Sequence, residues 1–353
     1  MNILDYIKKY GGLSFSKMPF SDVDSLCLAQ ITYLNMEHID ELSFCSFNVR
    51  FEDLLKTDKD LLIKDVWAPK ENLELLFTMA KSVRFGKIGI GLFKKSNDEK
   101  SEKQFAAVTY KLKDGLFYVA FRGTDASLYG WKEDFNLAYL KKVPSQLEAA
   151  KYFRNVLKVT HGKYILGGHS KGGNLAVFAA LKTPLFAKNK VISVYDHDGP
   201  GFFDGLYKKK SLKKLHPKIF KTIPQTAIVG LLLKGDIPYR VVESRAVFLM
   251  QHNPFSWKID GNHFKYCTDA HKISKSATQK VNNWLKNTDS KKRKLFIDSL
   301  YEVLMSTGAK TYFDLFKNKR ENFKKITEKM AGLDPEVKEI LRDLLSVLFK
   351  SKA

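Results

Sequence analysis

The segment 168–172 reads Gly-His-Ser-Lys-Gly and carries the residue types best suited to chemistry in this chain. It matches the pattern Gly-x-Ser-x-Gly, in which the serine stands on a strained turn between a strand and a helix and attacks an acyl carbonyl. Glycine is needed on both sides because a larger side chain would collide with neighbouring backbone. The pattern therefore predicts that Ser170 is a nucleophile in acyl chemistry.

A nucleophilic serine needs a general base, and the base needs an acid that orients it. In folds built around this turn, the acid and then the histidine follow the serine along the chain. Strand-like stretches after the serine lie at 191–195, 226–233 and 246–250. Asp236 follows the second of these stretches and His252 follows the third. Because loops after parallel strands meet at one edge of the sheet, we predict Asp236 as the acid and His252 as the base.

Other residues remain alternatives for both roles. For the acid, the carboxylates that follow the strand next to the serine are Asp196 and Asp198. For the base, the main alternative is His263, a few residues further on, and a weaker one is His197. His169 lies inside the turn motif, where we expect it to pack against the turn rather than to act as the base.

Acyl transfer also needs donors for the oxyanion that forms in the transition state. The backbone N–H of Lys171, at the start of the helix after the serine, is the first candidate. The stretch 121–124 ends a predicted strand and leads toward a helix. Gly123 permits a sharp turn there, and Thr124 offers both an N–H and a hydroxyl group. We predict Thr124 as the second donor, although an ordinary turn capped by threonine would have the same sequence.

These residues need a sheet to position them, and strands that alternate with helices predict an α/β fold with a mostly parallel central sheet flanked by helices. Strands are predicted at 105–112, 116–121, 164–167, 191–195, 226–233 and 246–250, and helices at 131–140, 145–160 and 172–181. Lys113, Asp114 and Gly115 form a favourable hairpin turn between the first two strands.

The flanking regions differ from this pattern. Residues 1–289 are predicted to form one α/β-hydrolase domain whose first 100 residues are mainly helical, and residues 290–353 a C-terminal helical extension. Helices are predicted at 23–33, 69–85, 295–305, 312–330 and 335–349, and a polar surface loop at 94–103. Ser21 and Asp22 are suited to cap the first of these helices, and Asp334 followed by Pro335 is suited to begin the last.

The composition bounds the function. The chain has 353 residues, 44% of them hydrophobic, and a formal net charge of +22 with nine arginines. Because nucleic-acid readers depend on clustered arginine, whereas here lysine is spread along the chain, we expect no nucleic-acid partner. The charge is consistent with a solvated surface or with weak association with an anionic membrane surface. The sequence does not indicate the oligomeric state of the protein.

The cysteines and the chain start bear on cofactors and compartment. Cys27, Cys45 and Cys267 are widely spaced and include no Cys-x-x-Cys pair, which argues against a disulfide framework and a zinc site. We therefore expect no metal and no organic cofactor. The N-terminal residues lack a secretory pattern, and no apolar run reaches membrane-spanning length, so a cytoplasmic protein is predicted.

Two parts of the chain resemble the class-three, or fungal-type, lipases. Residues 121–124 together with 131–135 are similar to the block that carries the oxyanion residue in those lipases. Residues 168–176 are similar to their nucleophile turn. Those lipases favour leucine after the serine, where this chain has Lys171.

Most of residues 1–260 resembles the Mbeg-like bacterial family, a domain of unknown function placed among the α/β-hydrolases. The segments that carry this resemblance are 5–6, 22–24, 168–176, 198–202 and 251–257. The resemblance implies an α/β-hydrolase fold. It leaves the substrate open, because the family itself is largely uncharacterised.

The same resemblance implies roles for individual residues. Ser170 would be the nucleophile, with Asp236 and His252 as its partners and with Thr124 and Lys171 as the oxyanion donors. His252 is favoured over His263 because it lies in a family-like segment. The expected function is a serine hydrolase that cleaves a carboxylic ester or related acyl bond of a small-molecule or lipid substrate. The alternatives are a non-catalytic protein that binds a partner or a membrane surface, and an acyltransferase with the same triad.

Overall fold

A central β-sheet organises the computed structural model, which describes residues 1–64, 66–98, 100–125, 128–202, 209–233, 237–309 and 311–349. Within these ranges, nine strands form one sheet in the order β1-β2-β3-β4-β5-β6-β7-β8-β11. The strands are β1 (Val49–Arg50), β2 (Gly89–Asp98), β3 (Lys103–Lys113), β4 (Leu116–Phe121), β5 (Lys163–His169), β6 (Val191–His197), β7 (Ile219–Pro224), β8 (Tyr239–Val242) and β11 (Tyr266–Cys267). Strands β9 (Ile259–Asp260) and β10 (His263–Phe264) pair separately.

The centre of the sheet is parallel and its two sides are antiparallel. Each neighbouring pair from β4 to β8 runs parallel, whereas β1 to β4 and the last pair run antiparallel. Parallel neighbours need crossover connections, and helices supply most of these. The predicted α/β-hydrolase fold class is therefore confirmed.

Helices surround the sheet. They are α1 (Ile3–Tyr10), α2 (Asp22–Ile31), α3 (Lys59–Ile63), α4 (Pro69–Ala80), α5 (Leu128–Asn136), α6 (Pro144–Val159), α7 (Lys171–Leu181), α8 (Lys209–Leu215), α9 (Lys272–Asn287), α10 (Ser290–Met305), α11 (Tyr312–Lys317), α12 (Lys319–Ala331) and α13 (Pro335–Phe349). No helix in the described part of the chain combines the length and the apolar character that crossing a bilayer requires.

Both faces of the sheet are buried by apolar contacts with helices. Successive residues of a strand point to opposite faces, so neighbouring residues join different clusters. On β5, Ile165 joins the apolar cluster formed with the N-terminal helices α1, α2 and α4, whereas Leu166 joins the cluster formed with α6 and α7. Burying one such aliphatic side chain contributes about 1.5–3 kcal/mol. The central strands are thus held from both sides, which makes their carboxyl ends rigid supports for a site.

Local signals account for several element boundaries. Helix α2 begins after Ser21, whose hydroxyl oxygen accepts from the Asp24 N–H while the Asp24 carboxylate accepts from the Ser21 N–H. Helix α13 begins after Asp334, which caps it through its carboxylate. Gly115 has φ +67° in the turn between β3 and β4, a conformation that glycine adopts without strain. These predictions are confirmed.

The polar loop predicted at 94–103 is wrong. Strands β2 and β3 extend through most of it as an antiparallel hairpin that is paired out to Asp98 and Lys103. The outer part of β2 is largely exposed, so its side chains carry no alternating apolar pattern. Backbone hydrogen bonds between the two strands form regardless of those side chains.

The strands predicted at 226–233 and 246–250 are also wrong. Short 3₁₀ helices occupy these places, Val229–Leu231 and Phe248–His252, and the actual strands are β7 and β8. The apolar run at 226–233 is not buried as part of the sheet. It is buried because Ile228 packs in an apolar cluster with the C-terminal helices. Strand β7 is harder to recognise because it contains the charged residue Lys221, which is buried against Asp196.

The C-terminal helices pack near residues 168–172, the predicted nucleophile turn. Residues of α9, α10, α12 and α13 form one apolar cluster with Leu128 of α5 and with Ile228. Helix α9 was not predicted, and the single helix predicted at 312–330 is instead the pair α11 and α12, which meet at Asn318. The boundary placed at residue 290 stays a prediction.

Candidate active site

Ser170 stands at the junction between β5 and α7 in a strained backbone conformation, with φ 58° and ψ −135°. The flanking glycines permit this turn. A Cβ atom on Gly168 would lie 2.6 Å from the carbonyl oxygen of Phe121, and one on Gly172 would overlap with the same oxygen. Parallel pairing of β4 with β5 causes this crowding, because it places Phe121 opposite Gly168. The turn thus presents the serine side chain at the carboxyl edge of the sheet.

A chain of hydrogen bonds runs from the serine to a buried carboxylate. The hydroxyl oxygen of Ser170 lies 3.0 Å from Nε2 of His252, and Nδ1 of His252 lies 2.6 Å from Oδ2 of Asp198. Because the carboxylate accepts, the imidazole proton belongs on Nδ1, which leaves Nε2 free to accept the serine proton. This is the geometry of a nucleophile, its base and the acid that orients the base.

The carboxylate at the end of this hydrogen-bonded path belongs to Asp198, which the sequence analysis treats as an alternative to Asp236. Asp236, the favoured acid, lies outside the described residues. Asp198 is 1% exposed and directly follows β6. Its other carboxylate oxygen accepts from the Gly230 N–H at 3.1 Å, and its own N–H donates to the Thr222 carbonyl at 2.7 Å. These bonds hold the carboxylate toward His252.

Asp196, the other alternative acid, has a different set of partners. One oxygen of its buried carboxylate lies 2.7 Å from Nζ of Lys221, and the other accepts from the Gly199 N–H at 2.8 Å. Lys221 also donates to the Gly199 carbonyl. This ion pair therefore fixes the loop that carries Asp198, which explains why a lysine is buried in strand β7.

The two alternative bases have partners away from Ser170. His263 is largely exposed, and its Nδ1 lies 3.1 Å from Oδ1 of Asp22. His197 is buried, its Nε2 lies 2.9 Å from the Ser25 hydroxyl, and burial lowers its pKa to about 3. The histidine in hydrogen-bond contact with Ser170 is His252.

His169 supports the base rather than replacing it. Its Nε2 lies 2.9 Å from the carbonyl oxygen of His252, its Nδ1 lies 3.1 Å from the Tyr33 hydroxyl, and the two imidazole rings are 4.7 Å apart. Burial lowers the pKa of His169 well below its usual value, so the ring is neutral. A neutral ring that donates from Nε2 and accepts at Nδ1 satisfies both contacts and holds the backbone of the base.

The predicted oxyanion donors lie on either side of the serine. Lys171 is the first residue of α7, where helix geometry leaves its N–H without a partner in the helix. The chain at Gly123 runs against the turn, since a Cβ atom there would lie 3.1 Å from the Cβ of Ser170. Thr124 follows directly, and its hydroxyl donates to Oδ2 of Asp134 at 2.6 Å. Because the hydroxyl proton is already used in this hydrogen bond, the Thr124 N–H is the group that can donate to an oxyanion.

The Lys171 side chain forms a buried ionic cluster that sequence reasoning missed. Its Nζ lies 2.9 Å from Oε2 of Glu133 and 3.7 Å from Oδ1 of Asp134. Burial opposes the charge, but these two carboxylates outweigh it and raise the pKa of Lys171. Burial also raises the pKa of Asp134, to about 6, although Lys171 and Thr124 counteract it. The acidic pair within the lipase-like block 131–135 was the available signal.

An apolar cavity of ≈ 140 Å³ opens beside Ser170 and His252. Its apolar lining comes from several elements: Trp67, Trp131, Phe135, Pro200, Ile228, Val229, Leu232, Leu300 and Leu304. Leu300 and Leu304 belong to α10, so the C-terminal helices form part of its wall. The cavity offers an acyl group a dry environment next to the nucleophile.

A family model matches the part of the chain that carries the site. The Mbeg1-like family model matches residues 79–302, a range that includes Ser170, Asp198 and His252. No curated protein sequence matches the chain.

Solved structures similar to this chain include two lipases and a protein from Penicillium cyclopium. The Rhizomucor miehei lipase in its propeptide complex is 14% identical with a TM-score of 0.35, and the match covers 60% of this chain and 70% of the lipase. The Lip2 lipase of Yarrowia lipolytica is 12% identical with a TM-score of 0.35, covering 53% and 76%. The N225Q mutant of MDLA from Penicillium cyclopium is 14% identical with a TM-score of 0.35, covering 65% and 88%.

Proposed function

We propose that this chain, which belongs to the Mbeg1-like family, is a serine hydrolase that cleaves a carboxylic ester or related acyl bond. The observation that carries the proposal is the continuous hydrogen-bonded path from Ser170 through His252 to Asp198. A strained serine at the end of a central strand, with an unprotonated imidazole nitrogen 3.0 Å from its hydroxyl, is suited to nucleophilic attack.

The first half of the reaction forms an acyl-enzyme. His252 takes the proton of the Ser170 hydroxyl at Nε2 while the serine oxygen attacks the acyl carbonyl. The N–H groups of Lys171 and Thr124 donate to the oxyanion, and Asp198 stabilises the imidazolium. The imidazolium then gives its proton to the leaving alcohol as the carbon–oxygen bond breaks.

The second half returns the enzyme to its starting state. A water molecule takes the place of the alcohol. His252 removes a proton from this water, and the water oxygen attacks the acyl-enzyme carbonyl. Collapse of the second tetrahedral intermediate releases a carboxylic acid, and Ser170 regains its proton from His252. All groups that this cycle needs are supplied by residues 124, 170, 171, 198 and 252.

The apolar cavity favours an acyl chain as the group on the carbonyl side. Its wall is formed by aromatic and aliphatic side chains, and its polar groups converge near Ser170. A hydrocarbon chain would lose water contact there by packing against this apolar wall. The proposed substrate is therefore a small-molecule or lipid ester with an apolar acyl group.

Covalent labelling tests the nucleophile. A fluorophosphonate probe should label the parent protein, and the Ser170→Ala variant should show no labelling and at least a 10⁴-fold loss of p-nitrophenyl ester hydrolysis. Graded acyl chain lengths in the same screen would define the chain preference. Labelling of Ser170→Ala at the parent rate would overturn the proposal.

The acid is tested separately. Asp198→Asn should lower kcat by about 10³–10⁴-fold, because the amide no longer holds the imidazole in the required tautomer. Asp236→Asn, assayed beside it, tests the acid favoured by the strand count. A larger loss in Asp236→Asn than in Asp198→Asn would contradict the assignment of Asp198.

A further inference from the structure

A second cavity, of ≈ 230 Å³, adjoins the apolar one. The two share Tyr33, Trp67 and Asp125 as lining residues, so they meet beside the nucleophile turn. Their chemistry differs. The lining of the second cavity is mainly polar and charged: Asn35, Glu37, Lys64, Lys95, Asn97, Arg122 and Asp125, with Tyr33, Val66 and Trp67.

Arg122 is the unusual member of this lining. Its side chain is buried, with the residue 5% exposed, and its Nε has no hydrogen-bond partner. Within the described part of the chain, its guanidinium forms neither a hydrogen bond nor an ion pair with another side chain. Burial lowers the pKa of Arg122, and the nearby carboxylates of Asp125 and Glu37 only partly counteract this effect. Because burying a charge is costly unless the charge is paired, a guanidinium that lines a cavity without a direct ion pair is suited to donate hydrogen bonds to an anion.

The backbone places Arg122 next to the reaction. The residue directly follows β4, and its N–H donates to the Ala106 carbonyl at 2.9 Å. Two residues later comes Thr124, the proposed oxyanion donor. Because the two cavities share lining residues, a molecule whose anion is held by the guanidinium can extend toward Ser170.

The remaining charges leave the cavity with a positive excess. Lys64 and Lys95 supply two further cations, and Glu37 and Asp125 supply two carboxylates. Glu37 is paired with Lys95, and Asp125 accepts from the Gln104 side-chain amide at 2.5 Å. Together with Arg122, the described lining carries three positive and two negative charges.

We infer that this cavity binds a phosphate group carried on the alcohol part of the substrate. A guanidinium and an exposed ammonium on one cavity wall suit a tetrahedral group with several acceptor oxygens. The inference rests on the proposed function, since it divides one ester between the two cavities. The acyl chain lies in the apolar cavity, the phosphate lies against Arg122, and the scissile carbonyl lies between them at Ser170.

The test compares two esters with the same acyl chain, 1-octanoylglycerol and 1-octanoylglycerol 3-phosphate. The parent protein should prefer the phosphate ester by about 10- to 100-fold in kcat/KM, the range expected for a charge-assisted contact. Arg122→Gln should lower this preference by a similar factor. Lys64→Gln, at an exposed position, should lower it about 2- to 5-fold. Arg154→Gln, an exposed arginine on α6, is the matched control and should keep the preference.

Binding to Ser170→Ala separates this inference from the proposed function. Calorimetry with glycerol 3-phosphate should detect binding that Arg122→Gln in the same background removes. Hydrolysis of both esters without a phosphate preference would overturn the anion site and leave the hydrolase intact. Binding of glycerol 3-phosphate without hydrolysis of either ester would overturn the proposed function instead. Equal binding of inorganic phosphate, with no preference between the esters, would assign the cavity to free phosphate and overturn its role in substrate binding.

If Arg122→Gln fails to fold, Lys64→Gln decides the outcome. Its position is exposed and its side chain forms no ion pair with a described residue, so its fold should be unaffected. An unchanged preference in folded Lys64→Gln, together with no detectable binding of glycerol 3-phosphate by Ser170→Ala, would overturn the inference.

Discussion

Replacing Lys171 with Met should destabilise the protein by about 3–5 kcal/mol, because it removes the cation from a buried ion pair. Nζ of Lys171 lies 2.9 Å from Glu133, and both side chains are within 1% of full burial. Methionine has a similar length, so the loss of charge is the main change. The backbone N–H at position 171 remains, so the folded variant should still form an acyl-enzyme.

The size of the expected destabilisation follows from the contacts that Glu133 keeps when the ammonium group is removed. Its Oε1 accepts from the Ser145 N–H at 2.9 Å, and its Oε2 accepts from the Gln104 N–H at 3.0 Å. These backbone contacts hold the carboxylate in place, so it cannot move to water when the ammonium is removed. Asp134, 3.7 Å from the same nitrogen, also loses its counter-charge. A double variant with Glu133→Gln should recover part of the loss, because the amide oxygen still accepts from backbone and one buried charge disappears.

Urea unfolding of matched variants measures the effect. Lys8→Met is the control, because Lys8 and Glu74 form an ion pair of 2.8 Å with both side chains at least half exposed. Such surface pairs contribute about 0–1 kcal/mol. Fluorophosphonate labelling of each folded variant reports whether the site is intact. A loss in Lys171→Met no larger than that in Lys8→Met would refute the argument that burial makes this pair important.

Two further predictions concern the same region. The pKa of Asp134 is raised to about 6, above its usual value, so the folded protein binds this proton more tightly than the unfolded chain and loses stability as pH rises from about 4 to about 6. Unfolding free energies of Asp134→Asn and the parent should therefore diverge by about 2–3 kcal/mol in favour of the variant between pH 4 and pH 7, and parallel pH curves would contradict this. Gly172→Ala should abolish labelling or folding, because the new methyl group overlaps with the Phe121 carbonyl. The control is Gly12→Ala, whose methyl group meets nothing within 4 Å. Urea unfolding should show that this control changes the free energy of unfolding by less than about 0.5 kcal/mol.

The nucleophile turn could be predicted from sequence because its motif is short. A Cβ atom at 168 would meet Gly172, and one at either glycine would meet the Phe121 carbonyl on the adjacent strand. Although strand β4 is distant in sequence, both glycines lie within two residues of the serine, so the requirement is visible in the pattern itself. The same holds for the hairpin turn at Gly115 and for the caps at Ser21 and Asp334. In each case a side chain or its absence satisfies a backbone need nearby.

The carboxylate that contacts His252 was harder to predict because the prediction depended on counting strands. The apolar run at 226–233 has the composition of a buried strand, but its burial comes from contact with the C-terminal helices. The real strand β7 contains Lys221, whose charge is compensated by Asp196 on the neighbouring strand. A contact between residues 25 positions apart has no signature in the periodicity of either segment. The count therefore placed Asp236 after a segment that is not a strand, whereas the loop after β6 carries Asp198, the carboxylate in contact with His252.

Buried charges explain the other omissions. Lys171, Glu133 and Arg122 are charged residues with little or no exposure, whereas sequence reasoning places charged side chains in solvent. Each is buried because helix α5 and the end of β4 pack around the nucleophile turn. That packing is a tertiary property that no single segment specifies.

The apolar cavity takes its walls from parts of the chain that do not belong to the hydrogen-bonded triad. Leu300 and Leu304 come from α10, and Ile228 comes from the segment after β7; they pack in one apolar cluster with Leu128 of α5. These helices and loops take no part in the register of β5 and β6, which brings the turn and the Asp198 loop together. Under the proposed function, the choice of acyl group would therefore depend on the C-terminal helices, whereas formation of an acyl-enzyme would depend on the parallel strands.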